Sequence, residues 1–126
     1  MIFIGLGFRK AVTIKSFENL IHQVYHLNEL PGPIKALATL DTKASDPALQ
    51  EFAAAKRITL TPVSLENLKR QITPTQSPAV QAAYGLGSIA EAAALSAAGD
   101  GSSLIFKRLV SSDKLTTCAF AKGSFK

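Results

Sequence analysis

The chain has 126 residues, 47% hydrophobic and 18% charged, the size of one domain spanning 1–126 with its own apolar core. Fourteen Lys and Arg against nine Asp and Glu leave a net charge of +5, which favours an anionic ligand, and the single cysteine, Cys118, excludes an internal disulfide and any multi-cysteine metal site. The longest membrane candidate, residues 79–98, is largely alanine and is interrupted by Gln81, Gly85, Gly87, Ser88 and Glu91, so no transmembrane span is expected.

The chain opens on a short apolar run, Ile2-Phe3-Ile4, that reads as a strand and passes into a loop, Gly5-Leu6-Gly7-Phe8-Arg9-Lys10. No Lys or Arg precedes that run and no small-residue cleavage site follows it, so a signal peptide is not expected and a reducing cytoplasm is the expected setting. Thr13 or Ser16 can cap a helix reaching about Asn28, with Phe17, Leu20, Ile21, Val24 and Leu27 spaced as one apolar face. Pro31-Gly32-Pro33 stops it. A second strand over residues 34–40 ends at Asp41-Thr42-Lys43, and Ser45 or Asp46 before Pro47 starts a helix to about Lys56.

A third strand follows over residues 58–63, with Pro62 predicted to cut it short, and Ser64 caps a helix to about Gln71. Ser77-Pro78 opens a short helix that Gly85-Leu86-Gly87 breaks. Ser88-Ile89-Ala90-Glu91 then has the spacing of a capping box before an alanine-rich helix to Ala98. Residues 103–111 and 115–122, joined by Ser112-Asp113-Lys114, read as a closing hairpin, and residues 123–126 as a frayed tail. Strands that alternate with helices early and pair antiparallel late predict a layered α/β domain with a mixed sheet of about five strands, the early ones parallel.

Glycines after a first strand let a ligand approach the backbone, and open α/β sheets bind ligands beyond the carboxyl ends of their strands. The pattern Gly5-x-Gly7-x-x-Lys10 has lysine where a dinucleotide fingerprint needs its third glycine, and Glu29 only loosely offers the acidic partner. A P-loop is absent. His22 and His26 share an i, i+4 spacing opposite the apolar stripe and read as a solvated face, so no metal is expected. Neither histidine lies near a nucleophile, Cys118 reads as a buried inert thiol, and covalent catalysis is not indicated.

Arg9 and Lys43 follow the first two strands, and parallel pairing would bring both to one sheet edge, where two cations suit carboxylates or phosphates. Lys107 follows an apolar triplet and fits either strand alternation or a site. Glu91 reads as a cap that returns a hydrogen bond or as a carboxylate that orients a ligand or water. Asp41 reads as a turn residue or a second candidate base. The basic residues are spread rather than clustered with aromatics, so nucleic acid is not expected. A small nucleotide- or partner-binding domain without catalysis is the alternative reading.

Taken together, Gly5-Leu6-Gly7-Phe8-Arg9-Lys10, Leu40-Asp41-Thr42-Lys43 with Asp46 and residues 49–53, and Gly87-Ser88-Ile89-Ala90-Glu91-Ala92-Ala93-Ala94-Leu95 resemble the family of CobE and the C-terminal domain of CbiG. The resemblance covers nearly the whole chain. Phe8 and Ala11 depart from the family's Gly-x-Gly-Cys-Arg-Lys-Gly loop, which removes any thiol chemistry there, and Asp46-Pro47-Ala48-Leu49 replaces a Glu and Pro-Gly-Leu-like helix start.

The resemblance implies a role in cobalamin biosynthesis. CbiG-type proteins open a lactone on cobalt-precorrin-5A with release of acetaldehyde, whereas CobE serves the aerobic route, and the segments that precede the domain in CbiG are expected to be missing here. The implied ligand is a precorrin or other corrin-ring intermediate, carried or hydrolysed, with other enzymes of the pathway as further partners and no cofactor. Gly5, Gly7, Arg9, Lys10, Lys43, Gly87, Ser88 and Lys107 are the expected ligand contacts, and Glu91 or Asp41 the expected general base if a hydrolysis occurs.

Overall fold

A computed structural model describes residues 2–9, 12–27, 34–111 and 113–123, with residues 23–27 and 107 described for their backbone alone. The elements are β1 (Ile2–Phe8), α1 (Ile14–Leu27), β2 (Ile34–Leu40), α2 (Pro47–Lys56), β3 (Thr59–Val63), α3 (Leu65–Lys69), α4 (Pro78–Tyr84), α5 (Ile89–Ala98), β4 (Ser103–Val110) and β5 (Thr116–Lys122). They form a five-stranded mixed sheet in the order β3-β2-β1-β5-β4. The first three strands pair parallel, and β5 runs antiparallel between β1 and β4.

Helix starts follow the sequence signals. Thr13 Oγ1 accepts from the Ser16 amide, Asp46 accepts from Ala48 and Leu49, and Ser64, Ser77 and Ser88 each accept from the amide three residues on. Gly85 ends α4 at φ +74°, a left-handed conformation suited to glycine. The expected stop at residues 31–33, the helix end near Asn28, Glu29, and the tail at 124–126 lie outside the described residues, as do the side chains of Val24, His26 and Leu27.

Two expectations need correction. The first strand does not end at Ile4 but runs to Phe8, so Gly5 and Gly7 lie inside β1 and are buried. The third strand is not cut by Pro62, which pairs with Thr39 and leads into Val63. Because β3 is an edge strand, the amide that proline lacks need have no partner.

The sheet has two unlike faces. Ile4, Leu6 and Phe8 of β1, with Leu37, Cys118 and Phe120, pack against Phe17, Leu20 and Ile21 of α1 and against Leu49, Phe52 and Ala53 of α2. Phe17 meets Phe8 edge-on with centroids 5.3 Å apart and stacks on Phe52 at 5.6 Å. The opposite face is built of small residues. A Cβ on Gly5 would lie 1.8 Å from the Ala90 carbonyl oxygen and 2.5 Å from the Ala94 nitrogen, so α5 lies directly on the β1 backbone. Ala38, Ala92 and Ala93 join Leu40, Val63, Leu68 and Ile89 in the apolar cluster on that side. Alanine on the helix and glycine on the strand are what permit this approach, and it sets the height of the α5 N-terminus above the sheet.

Candidate functional site

At the carboxyl ends of β1 and β2 a cleft of about 690 Å³ opens between the sheet, the N-terminus of α5 and helix α4. This is within the range of roughly 300–1,000 Å³ typical of small-molecule sites. Gly7, Phe8 and Arg9 form its floor at the end of β1, and Lys43 comes from the single turn of 3-10 helix, Asp41–Lys43, after β2. Ser88 and Ile89 contribute the first turn of α5. Parallel pairing of β1 and β2 brings Arg9 and Lys43 into one cleft, as their positions after successive strands imply.

Lys43 is held in place. Its Nζ donates to the Phe8 carbonyl at 2.7 Å and lies 5.0 Å from the centroid of the Phe8 ring, a cation–π contact. Phe8 thus fixes a cation of the cleft by both its carbonyl and its ring. The end of β1 is tied further by Thr116 Oγ1 and Thr117 Oγ1, which donate to the Gly7 carbonyl at 3.1 and 3.3 Å, and by the Arg9 amide, which donates to the Leu115 carbonyl at 3.0 Å.

Two further cations line the cleft that the sequence reading missed, Arg108 on β4 and Lys114 in the β4–β5 turn. Their arrival depends on β5 lying beside β1, which pairs Gly7 with Thr117 and Phe8 with Thr116. The hairpin turn therefore ends next to Arg9. Tyr84, Val80 and Ala79 of α4 form an apolar wall, and Val110 and Leu115 add apolar surface on the hairpin side. Asp113 holds the turn. Its carboxylate accepts from Ser16 Oγ at 2.6 Å, from Ser111 Oγ and from the Leu115 amide at 2.9 Å, and the two serine bonds, then the Leu115 amide, lower its pKa below the ordinary 3.8.

Two of the remaining expected contacts lie elsewhere. Gly5 is covered by α5, and Gly87 packs under residues 75 and 76, where a Cβ would meet the Thr75 carbonyl oxygen at 2.4 Å. Neither lines the cleft, so both serve close packing rather than ligand approach. Lys10 is outside the described residues, as is the side chain of Lys107, whose strand neighbour Arg108 does line the cleft. Asp41 is exposed after β2 and is not among the lining residues.

Glu91 is fully buried. Its Oε1 accepts from the Thr75 amide at 2.9 Å, and its Oε2 from Thr75 Oγ1 at 2.8 Å and the Arg108 amide at 2.9 Å. The carboxylate thus binds to a loop and a strand, whereas the capping box would have directed it to its own helix start. Among the described residues no Asp or Glu lines the cleft, and no group of three or more His, Cys, Asp or Glu side chains is placed to hold a metal. Cys118 is buried, and burial pushes its thiol up to about 12. No helix among the described residues is long and apolar enough to cross a membrane.

Comparison with known proteins places this geometry in context. A family profile described as the cobalamin synthesis G C-terminus matches residues 2–121. CobE, a protein from the cobalamin biosynthetic pathway, superposes with a TM-score of 0.87 at 22% identity, over 100% of this chain and 92% of that one. The cobalamin biosynthesis protein chiG from Agrobacterium tumefaciens is 28% identical, with a TM-score of 0.73 over 99% of this chain and 100% of that one. A protein from Sulfolobus solfataricus described as a cobalamin biosynthesis protein G homolog is 24% identical at a TM-score of 0.72; this chain is 98% covered and spans 37% of that protein. At their identities the first and third show a shared fold. No curated protein sequence matches the chain.

Proposed function

The chain belongs to the family of the cobalamin synthesis G C-terminus, cobalamin biosynthesis proteins of the CobE and CbiG type, and on that premise we propose that its cleft binds a corrin-ring precursor by the carboxylates at the ring's periphery. The observation that supports this reading is the composition of the cleft: Arg9, Lys43, Arg108 and Lys114 on one side and around the floor, Val80 and Tyr84 on the other. A corrin precursor is a flat apolar ring edged with acetates and propionates. Guanidinium and ammonium groups pair with such carboxylates, the first turn of α5 adds the positive end of a helix dipole, and the apolar wall covers the ring face.

The same composition favours holding the ring over cutting it. Glu91 and Asp41, the two carboxylates expected to activate water, both lie off the cleft lining, Glu91 with its two oxygens engaged by three donors. A carrier that receives an intermediate from one enzyme of the pathway and delivers it to the next needs the cations and the wall but no general base. The dinucleotide alternative loses its support at Gly5, where α5 occupies the space a phosphate would need.

Absorption titration of the purified protein with successive corrin-ring precursors tests the proposal. One intermediate is expected to show a saturable spectral shift at one equivalent, weakened by salt and about tenfold by Arg9→Ala, as expected for the loss of one charge-assisted contact. Absence of any spectral change across the series refutes it.

A further inference from the structure

We infer that Glu91 is a positioning residue, whose buried carboxylate sets the distance between the two walls of the cleft and aims Arg108 into it. This rests on the proposed binding of a carboxylated macrocycle, and it gives Glu91 a role in recognition in place of water activation.

The geometry has three parts. Strand β4 pairs regularly with β5 at Ser103 and Leu104, slips in register between Leu104 and Phe106, and slips again between Phe106 and Leu109. At that slip the Arg108 amide donates to Glu91 Oε2. A bulge of this kind bends a strand and redirects its side chains, often beside a functional site, and here the redirected residue is a cation lining the cleft. Glu91 is thus the acceptor for a backbone donor that the slipped ladder leaves over.

The same carboxylate takes both donors of Thr75. Thr75 lies two residues before Ser77, the cap of α4, and α4 carries the opposite wall. The link is reinforced by the Ser77 amide, which donates to the Gly87 carbonyl at 2.8 Å. One side chain on α5 therefore holds the cationic wall and the apolar wall at once. Three neutral donors on one desolvated carboxylate form a tight arrangement, since each left without its acceptor would carry the penalty of a buried, unpaired polar group.

Glutamine at this position has a single acceptor oxygen, so its amide group must face either the Thr75 or the Arg108 N–H with a donor. Three measurements test the inference. In the unaltered protein the Arg108 amide, although on an edge strand, is expected to exchange with deuterium as slowly as the amides of α5, and exchange at the rate of a fraying edge overturns the role. In Glu91→Gln, protection at Thr75 or Arg108 is expected to fall while that of Leu37, on the far face of the sheet, is retained. Unchanged protection at both Thr75 and Arg108 overturns it.

The third measurement uses uroporphyrin, an octacarboxylate macrocycle, as the probe. Arg108→Ala is expected to weaken its binding about tenfold in the unaltered protein and less than about twofold in the Glu91→Gln background, because a mispositioned guanidinium has little left to lose. Equal factors in both backgrounds mean that Glu91 serves stability alone. Failure of uroporphyrin and of every corrin precursor to bind the unaltered protein removes the binding reading, while the two exchange measurements still decide whether Glu91 holds both walls. If Glu91→Gln does not fold, exchange in the unaltered protein decides.

Discussion

Gly5→Ala probes the contact on which the cleft is built. The added Cβ would lie 1.8 Å from the Ala90 oxygen, 2.5 Å from the Ala94 nitrogen and 2.9 Å from the Ala90 carbon, all of them backbone atoms. No side chain can rotate away, so α5 must rise by roughly 1.5 Å to restore ordinary contact, opening its packing on the sheet. Overpacking a core typically costs about 1–3 kcal/mol, and a backbone obstacle places this case at or above the top of that range. About 3 kcal/mol is a large part of the roughly 5–15 kcal/mol that holds a domain folded, and for a chain of this length it lowers the melting temperature by about 10 °C. Gly7→Ala is the control: its Cβ would meet the rotatable Thr117 Oγ1 at 2.9 Å and the Ile89 Cβ at 3.6 Å, for a cost of about 1 kcal/mol. Urea and thermal denaturation followed by circular dichroism measure both. A Gly5→Ala protein within about 0.5 kcal/mol of the parent, the scatter of an ordinary surface change, or a Gly7→Ala protein less stable than Gly5→Ala, would falsify the packing argument.

Asp113 has its folded pKa lowered by the Ser111 and Ser16 hydroxyls and the Leu115 amide, so it contributes stability above about pH 4, which is lost as pH falls through the lowered folded value. Asp113→Asn should therefore flatten the acid limb of melting temperature against pH between about pH 2 and 5, and an unchanged limb would show that the turn is not held by this charge. Cys118, buried and with its thiol pushed up to about 12, should resist a thiol reagent near pH 8 in the folded protein and react fully in denaturant. Rapid labelling of the folded state would show that β5 opens readily.

Local chemistry was legible along most of the chain. Caps at Asp46, Ser64, Ser77 and Ser88, the left-handed glycine at Gly85 and the apolar spacing of Phe17, Leu20 and Ile21 are short-range signals, each satisfied within a turn or two of its own residue. The ends of β1 were less legible, since Gly5 and Gly7 have the same composition in a loop as in a strand crossed by a helix. What distinguishes the two is Ala90 and Ala94, more than eighty residues away in sequence, whose backbone leaves no room for a Cβ on Gly5.

The sequence by itself determined the family, the α/β alternation and two cations at one sheet edge, because parallel neighbours in an α/β unit deliver their following residues to the same side. Tertiary structure alone decided that β5 inserts beside β1, bringing Arg108 and Lys114 to that edge, and that Glu91 turns from its own helix start toward Thr75 and Arg108. Strand order and the partner of a buried carboxylate are settled by which surfaces exclude water together. That is a property of the assembled layers and of no single segment.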